Sequence, residues 1–354
     1  MTITVVAGAR PNFIKIAPIL RAFKKYGIHW RLVHTGQHYD KNLSDTFFVD
    51  LDIPPPDINF NIGSGTQAEQ TGAIMIAFEQ EVKNYRPSYV LVVGDVNSTM
   101  ACGIVAKKEN IPLIHVEAGL RSGDLTMPEE INRLLVDRIS DVHFTTTAEA
   151  SKTLIDEGVD KSRIHFVGNV MIDSLISSLT HLQKPQGIEL KGKYIVLTLH
   201  RPSNVDQENK TISILQLISQ QLGEAASIVF PVHPRTRQGL IDFEAPENVQ
   251  MVDPMRYLEF IYLIKHSVGV ITDSGGIQEE TTFLKIPCIT LRNNTERPET
   301  IEIGTNELIG DNEEKLKHSI NNILTDSWKA GSTPELWDGK SAERIAATLL
   351  ELKT

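Results

Sequence analysis

Short runs of β-branched and aliphatic residues recur along the whole chain, and segments of helix length separate them. The runs are predicted strands at residues 3–6, 31–34, 89–93, 113–116, 142–145, 164–167, 194–199, 227–232, 249–252, 268–272 and 288–291. Runs such as VLVVG and IVLTL are apolar almost throughout, which is typical of parallel strands that helices cover on both faces. The alternation therefore predicts an α/β fold built on parallel sheets.

One break in this pattern divides the chain into two halves. The segment SLISSLTHLQKPQGIELKGK begins as a helix and then gives way to Pro185, Gly187 and Gly192 before the next strand. The predicted segments are a first domain at 1–173, a linker at 174–193, a second domain at 194–340, and an amphipathic helix at 341–354 that could return to the first domain. Both domains are predicted to be Rossmann-like, doubly wound sheets that face each other across a cleft.

Composition and charge exclude several classes of protein. The 354 residues, 41% of them hydrophobic, suffice for two well-formed cores, and no run of about 18 apolar residues could span a membrane. The start MTITVVAGAR is typical of a strand and not of a signal peptide, so we expect a cytoplasmic protein. The net charge of −10 without a Lys/Arg run argues against nucleic-acid binding. Cys102 and Cys288 are expected to be buried thiols, and no metal site is predicted.

Polar residues directly follow strand after strand, at the edge where open parallel sheets bind ligands. A single charged residue there is usually a helix cap or a solvated turn, but a series on the same edges predicts a site. The series comprises Arg10 with Lys15, Gln37 with His38, Asp95, Glu117, His200 with Arg201, His233 with Arg235, and Asp273 leading into Ser274, Gly275 and Gly276.

The segment DSGGIQEE has the chemistry of a phosphate-binding turn. Ser274 can cap the helix that follows Asp273, and the two glycines let backbone amides approach a phosphate at the helix N-terminus. Glu279 or Glu280 in the next turn can accept hydrogen bonds from two ribose hydroxyls. The alternative is a capped helix without a ligand. No Gly-Lys-Ser/Thr follows, so the segment is not a P-loop.

A group of carboxylates is the second candidate site. Proline at the first helical position and acids in the first turn are ordinary helix-start chemistry, which by itself accounts for Glu129 in MPEEINR. The alternative is that Asp95, Glu117 and Glu129 lie near one sheet edge. Unpaired carboxylates that crowd together raise one another's pKa, which provides an acid and a base near neutral pH.

A glycine pattern at residues 63–68, GSGTQA, fits the dinucleotide fingerprint G-x-G-x-x-A. It follows a weak strand signal and lies far from the first βα turn, where that fingerprint belongs. We therefore interpret it as a flexible loop and predict no nicotinamide cofactor.

These segments together resemble the non-hydrolysing UDP-N-acetylglucosamine 2-epimerases. The matching stretches run in order from residue 8 to about residue 300: GARPNFIKIAP, TGQHYD, VVGDVNST, HVEAGLRSG, MPEEINR, VGNVMID, LTLHRP, PVHP, TDSGGIQEE and LRNNTERPE. The resemblance implies two Rossmann-like domains arranged as in the two-domain (GT-B) glycosyltransferases, a homodimer formed through the first domain, and no cofactor. It implies interconversion of UDP-GlcNAc and UDP-ManNAc through 2-acetamidoglucal, for surface polysaccharide precursors.

The resemblance also implies roles for single residues. The catalytic residues are Asp95, Glu117, Glu129 and His200, with Glu117 and Glu129 favoured as proton carriers and the choice of acid and base left open. The substrate-binding residues are Arg10, Lys15, Arg133, Phe260, Ser274, Gly275, Gly276, Glu280 and Arg297, with Phe260 packing near uracil and Glu280 binding the ribose. Gln37, His38 and His233 match a second, activating substrate site of some bacterial members.

Two departures from the common bacterial pattern leave alternatives open. The chain has HRPSN where His-Arg-Arg-Glu-Asn is common, and its GSGTQAEQTG loop also differs. The resemblance therefore implies the catalytic and substrate-binding residues but not the activating site. The same features are similar to those of UDP-2,3-diacetamido-glucuronic acid 2-epimerases, the alternative within the family. Hydrolysing epimerases, two-domain glycosyltransferases and nucleotide-sugar sensors are more distant alternatives, because fold alone does not decide function.

Overall fold

The computed structural model describes residues 1–36, 48–206 and 209–352. The chain divides into two compact units, one formed by Met1–Ser178 with Glu335–Thr354 and the other by Leu179–Pro334. No helix in the described part of the chain combines the length and the apolar character that crossing a membrane requires.

The first unit contains a seven-stranded sheet in which all pairs are parallel. Its strands are β1 (Thr2–Ala7), β2 (His29–His34), β3 (Ile58–Asn59), β4 (Tyr89–Val93), β5 (Leu113–Ala118), β6 (Val142–Thr145) and β7 (Ile164–Phe166). They lie in the order β3-β2-β1-β4-β5-β6-β7. The order reverses between β1 and β4, which is the switch point where doubly wound sheets bind ligands.

Helices connect these strands and cover the sheet. They are α1 (Arg10–Tyr26), α2 (Gln67–Asn84), α3 (Asn97–Lys108), α4 (Pro128–Ile139), α5 (Ala148–Asp156) and α6 (Val170–Ser178). One core of this unit joins Phe78 of α2, Val105 of α3 and Val136 of α4 to the apolar side chains of β4 and β5. Because β4 and β5 are buried almost throughout, their sequences are apolar runs and not alternating patterns.

The second unit contains a six-stranded parallel sheet with the same order of strands. Its strands are β8 (Tyr194–Thr198), β9 (Ser227–Pro231), β10 (Val249–Val252), β11 (Gly269–Thr272), β12 (Cys288–Thr290) and β13 (Asn306–Leu308), in the order β10-β9-β8-β11-β12-β13. Its helices are α7 (Pro202–Val205), α8 (Lys210–Leu222), α9 (Pro234–Arg237), α10 (Tyr257–His266), α11 (Gly275–Leu284), α12 (Pro298–Glu302) and α13 (Glu313–Leu324). The switch point of this sheet lies between β8 and β11.

The predicted fold class of two doubly wound, parallel α/β sheets is confirmed. Every predicted strand is present, and Cys102 and Cys288 are buried thiols as expected. The sequence patterns missed only β3 and β13 among the described strands. Both are edge strands of two or three residues, too short to produce a recognisable apolar run.

The last helix, α14 (Ser341–Glu351), belongs to the first unit and packs on α1 and α6. Its N-terminal amides, those of Ser341 and Ala342, donate to the carboxylate of Asp173 at 3.2 and 2.8 Å. The first unit continues to Ser178, because α6 packs on α1. A linker that starts at residue 174 would therefore begin inside a helix.

Asp173 is expected to make the first unit less stable as the pH rises. Burial raises its pKa from 3.8 to about 6, although the amides of Ala342 and Ser341 oppose this. The folded state thus holds a proton that the unfolded state loses between these two values, so the free energy of unfolding falls as the pH rises through this window. Between pH 4.5 and 7 we expect the free energy of unfolding of wild type to fall by about 2 kcal/mol relative to that of Asp173→Asn.

Urea unfolding followed by tryptophan fluorescence would measure this difference. In a Trp328→Phe background the remaining tryptophans, Trp30 and Trp337, both report on the first unit. A stability difference between wild type and Asp173→Asn that stays constant from pH 4.5 to 7 would contradict the raised pKa.

Candidate active site

A buried ion pair lies at the switch point of the first unit. Lys15 of α1 and Glu117 of β5 are 6% and 3% exposed, and Lys15 Nζ lies 2.7 Å from Glu117 Oε1. The α1 helix begins at Arg10, directly after the turn that follows β1, so the first helical turns bring Lys15 to the carboxyl end of the sheet. The turn is braced by Asn12, whose amide donates to the carbonyl of Val93 at the end of β4.

The backbone of Glu117 is in the left-handed region, with φ of 72°. The register between β5 and β6 shifts between Val116 and Ala118, so Glu117 is the extra residue of a bulge. A non-glycine residue in this region is strained, and such strain persists where the surrounding structure fixes a functional side chain. The bulge therefore singles out Glu117 among the buried acids of this unit.

Asp95 is held by an arginine that also binds a second acid. Arg133 of α4 is buried and donates to Asp95 Oδ2 from Nε at 3.0 Å and from Nη2 at 2.6 Å. Its Nη1 donates to Glu130 at 2.5 Å. Burial by itself would raise the pKa of Glu130, but the amides of Ser122 and Gly123 and the Arg133 guanidinium outweigh it and lower the pKa. Glu130 is thus a fixed carboxylate that orients Arg133.

Glu129 differs from its neighbour Glu130. It is half-buried in the first turn of α4, which begins at Pro128 as predicted. Among the residues that the structure describes, it has no hydrogen-bond or ion-pair partner. Of the two adjacent acids, Glu129 is therefore the one whose carboxylate is available to a ligand.

The expectation that Asp95, Glu117 and Glu129 are unpaired carboxylates is wrong for two of the three. Asp95 and Glu117 each bind a cation, Arg133 and Lys15 respectively. Burying a carboxylate costs several kcal/mol unless it is paired, which explains why the chain supplies one cation for each of these two acids.

A buried histidine connects the turns that carry these acids. The ring of His115 in β5 lies 2.6 Å from Asp137 Oδ1 through Nδ1 and 2.9 Å from the carbonyl of Gly94 through Nε2. Asp137 also accepts from the amide of Gly119 and from Arg121. Burial would raise the pKa of Asp137, but the charges and hydrogen bonds of His115 and Arg121 outweigh it and lower the pKa. The network therefore fixes the backbone at Gly94, next to Asp95, and at Gly119, two residues after Glu117.

In the second unit, His200 and Asp273 meet at the switch point. Asp273 is fully buried directly after β11, and its Oδ1 lies 2.8 Å from His200 Nδ1. The side chain of His200 is 42% exposed. Thr198 and Thr272, the last residues of β8 and β11, bond to each other through their hydroxyls at 2.7 Å and so align the two loops.

The predicted phosphate-binding turn follows Asp273. Gly275 and Gly276 form the first turn of α11, and Ser274 precedes them at the N-cap position, although its side chain makes no capping hydrogen bond. A Cβ on Gly275 would lie 2.6 Å from Glu296 Oε1, a buried side chain that is paired with Arg292. A side chain at this position would have to displace Glu296, and the turn presents backbone amides at the positive end of a helix dipole.

Glu280 lies one turn further along α11 and is buried. The hydroxyl of Tyr257 donates to its Oε1 at 2.9 Å. Burial raises the pKa of Glu280 to about 8; the hydrogen bond from Tyr257 opposes the shift, and the charge of Glu279 adds to it. Glu279 itself is bound by Arg297 Nε at 2.6 Å.

The remaining predicted residues are distributed over both units. Arg10 is the first residue of α1, and Phe260 is half-buried on α10. His233 is exposed at the start of α9, and its ring centroid lies 6.0 Å from that of His200. Gln37 and His38 lie outside the described residues.

The family model of the UDP-N-acetylglucosamine 2-epimerases matches residues 21–350. The chain belongs to this family. An epimerase of this name from Methanocaldococcus jannaschii is 41% identical over 99% of both chains. The UDP-2,3-diacetamido-2,3-dideoxy-D-glucuronate 2-epimerase of Pseudomonas aeruginosa is 38% identical over 99% of this chain and 100% of that protein.

Solved structures agree with this membership. The crystal structure of the Methanocaldococcus jannaschii UDP-GlcNAc 2-epimerase in complex with UDP-GlcNAc and UDP superposes with a TM-score of 0.91 at 41% identity, over 99% of this chain and 100% of that chain. A lipopolysaccharide outer-core galactosyltransferase matches with a TM-score of 0.59 at 12% identity, which shows a shared fold only. The epimerase family and the GT-B-like fold are thus confirmed.

Several residues of this epimerase-family site were missed by the sequence patterns. They are Tyr257, which donates to Glu280, and Asn12, His115 and Asp137, which bind backbone groups within two residues of Asp95 or Glu117. His115 lies in the predicted strand that leads into Glu117, two residues before it, which was the available signal. The hydrogen-bond partners of these residues are distant in sequence, so the sequence contains no signal for the contacts.

Proposed function

We propose that the protein is a non-hydrolysing UDP-GlcNAc 2-epimerase that interconverts UDP-GlcNAc and UDP-ManNAc without a nicotinamide cofactor. The observation that supports this best is Glu117, a buried acid at a strained bulge, held by Lys15 in a chain of the epimerase family. Inversion at C2 needs a base on one face of the sugar and an acid on the other. The available carboxylate of Glu129 and the cation-bound carboxylate of Glu117 provide two proton carriers.

The proposed reaction has two balanced steps. A carboxylate removes the C2 proton, the C1–O bond breaks, and its electron pair goes to the β-phosphate oxygen, which gives UDP and 2-acetamidoglucal. In the second step the β-phosphate oxygen attacks C1 again while the other carboxylic acid gives a proton to the opposite face of C2. Glu117 and Glu129 carry these protons, and Asp95 assists them from its pairing with Arg133.

The second unit supplies the groups for the nucleotide. The amides of Gly275 and Gly276 and the hydroxyl of Ser274 bind the diphosphate at the start of α11, and Glu280 binds the ribose. His200 stabilises the charge that develops on the departing diphosphate. Phe260 packs near the uracil, and Arg297 completes the nucleotide site by holding Glu279 in place.

The proposed role of Glu280 predicts that UDP affinity depends on pH. A carboxylate accepts hydrogen bonds from both ribose hydroxyls only when it is ionised, and the pKa of Glu280 is about 8. UDP affinity should therefore rise about tenfold between pH 7 and 9, a range in which the phosphates, with a second pKa of about 6, are already ionised. Tyr257→Phe should move this rise to higher pH, because the Tyr257 hydroxyl lowers the pKa of Glu280.

Isothermal titration calorimetry with UDP from pH 7 to 9 would test this prediction. Tyr262→Phe is the matched control, because Tyr262 lies on the same helix but stacks on His266. A UDP affinity that is independent of pH, or the same for wild type and Tyr257→Phe at every pH, would contradict the assignment of Glu280.

Proton NMR of the protein with UDP-GlcNAc in D2O tests the proposed function itself. Formation of UDP-ManNAc with deuterium at C2, without added cofactor, would establish epimerisation through loss of the C2 proton. Release of UDP and free sugar would instead indicate a hydrolysing enzyme. No turnover of UDP-GlcNAc, even after a little product is added, would refute this substrate.

A second candidate substrate is UDP-2,3-diacetamido-glucuronic acid. The observation that favours it is the 38% identity to the Pseudomonas aeruginosa enzyme of that name over the whole chain. The chemistry at C1 and C2 is the same, and the substrates differ at C3 and C6. The same D2O experiment with this sugar nucleotide would distinguish them by the ratio of the two kcat/KM values.

Three further features complete the proposal. The enzyme acts in the cytoplasm, its product serves surface polysaccharide synthesis, and it forms a homodimer through the first unit. Leu125, Ile131 and Leu135 support the dimer, since these side chains in and before α4 are 65%, 40% and 44% exposed. Sedimentation equilibrium would test it, and a monomer at micromolar concentration would refute it.

A further inference from the structure

Asp273 collects hydrogen-bond donors from the loop that follows β8. Its Oδ1 lies 2.8 Å from His200 Nδ1. Its Oδ2 accepts from the amide of Arg201 at 3.0 Å and from the side chain of Asn204 at 3.1 Å. The amide of His200 donates to both oxygens, at 3.2 and 3.1 Å. A fully buried carboxylate is therefore satisfied by one loop, and the phosphate-binding turn begins at the next residue.

We propose that Asp273 is the positioning residue of His200, fixing a proton on Nδ1 so that Nε2 is the nitrogen directed to the substrate. The inference rests on the proposed function, in which His200 stabilises the departing diphosphate. A carboxylate accepts only, so the ring nitrogen that faces Asp273 must carry hydrogen. When Nε2 is protonated as well, the negative charge of Asp273 stabilises the resulting imidazolium.

The charges around Asp273 agree with this role. Burial would raise its pKa, but the hydrogen bond and charge of His200, the amide of Arg201 and the side chain of Asn204 outweigh it and lower the pKa. Asp273 is thus ionised where it contacts His200. The other ring nearby, His233, accepts from the amide of Arg235 at its Nδ1 and so does not compete for Asp273.

Replacing Asp273 by asparagine reverses the tautomer of His200 for a geometric reason. The position of Oδ2 faces three donors, His200 N, Arg201 N and Asn204 Nδ2, whereas among the described residues the only amide that reaches Oδ1 is that of His200, so the amide oxygen of the variant takes the Oδ2 position. The amide nitrogen then occupies the position of Oδ1 and donates to His200 Nδ1. The ring must accept at Nδ1, and in its neutral form it carries its hydrogen on Nε2.

The first measurement is the tautomer of His200 in the free protein. The chain has 11 histidines, so the ring signals of His200 are assigned in ¹⁵N-histidine-labelled protein by their loss in His200→Asn. We expect a protonated Nδ1 in wild type and an unprotonated Nδ1 in Asp273→Asn. Asn204→Ala is the control, because it removes one hydrogen bond to Asp273 without touching the pair with His200. A protonated Nδ1 in Asp273→Asn would overturn the inference.

The second measurement separates elimination from binding. Asp273→Asn should slow the release of UDP from UDP-GlcNAc by about 100-fold or more, the usual effect of losing a group that stabilises developing negative charge. Its Kd for UDP should change by less than about threefold, because the amides of the phosphate-binding turn are retained. A merely structural role would weaken UDP binding and elimination together, and that result would also overturn the inference.

The two measurements distinguish this inference from the proposed function. If wild type does not eliminate UDP from UDP-GlcNAc, the proposed substrate fails, while the tautomer experiment still decides whether Asp273 positions His200. If wild type is an epimerase and Asp273→Asn retains its elimination rate, only the inference fails.

Discussion

Glu117→Gln is expected to lower the rate of epimerisation by about 100- to 10,000-fold, the range found when a general acid or base is removed. The amide cannot exchange a proton with C2, and the strained bulge that directs the Glu117 side chain remains. Incorporation of solvent deuterium at C2 should fall by the same factor, because it requires the same proton transfer. The affinity for UDP should change little, since the residues proposed to bind the nucleotide base, ribose and phosphates belong to the second unit.

Glu81→Gln is the matched control for this substitution. Glu81 is also a buried glutamate of the first unit, it is also paired with a cation, Arg31, and it lies on α2 away from the switch point. Its loss should destabilise the unit without changing the deuterium exchange of the folded enzyme. If Glu117→Gln exchanges the C2 proton at the wild-type rate, Glu117 is not a proton carrier.

The fold could be predicted from the sequence because each of its signals is local. The buried strands are apolar runs, and the break before β8 contains Pro185 and Gly187. The Thr66–Glu69 capping box was also readable from its spacing, and it shows that the GSGTQA segment leads into α2 and is not a flexible loop throughout.

The pairing of the site residues could not be predicted, because it depends on contacts between distant parts of the chain. Lys15 and Glu117 are 102 residues apart, and Asp95 and Arg133 are 38 apart. Strand-end positions showed that these residues share an edge of the sheet, but not which charges neutralise each other. The positive φ of Glu117 has no sequence signal either, because glutamate does not favour it.

Lys15→Met is expected to lower the free energy of unfolding of the first unit by about 3–5 kcal/mol, the usual cost of leaving a buried charge without its partner. The substitution keeps the volume of the side chain and removes the ammonium group that lies 2.7 Å from Glu117. In the double variant Lys15→Met/Glu117→Gln both charges are gone, so we expect it to be more stable than Lys15→Met alone. If the two substitutions acted independently, the double variant would instead be less stable than Lys15→Met.

Lys107→Met isolates the effect of burial in the same urea experiment. Lys107 and Asp141 also form a pair at 2.7 Å in the first unit, but their side chains are 34% and 37% exposed, against 8% and 2% for Lys15 and Glu117. Water screens the exposed pair, so Lys107→Met should cost less than about 1 kcal/mol. If Lys15→Met and Lys107→Met lower the free energy of unfolding equally, burial does not strengthen the Lys15–Glu117 pair. A double variant less stable than Lys15→Met would show that Glu117 does not need its cation.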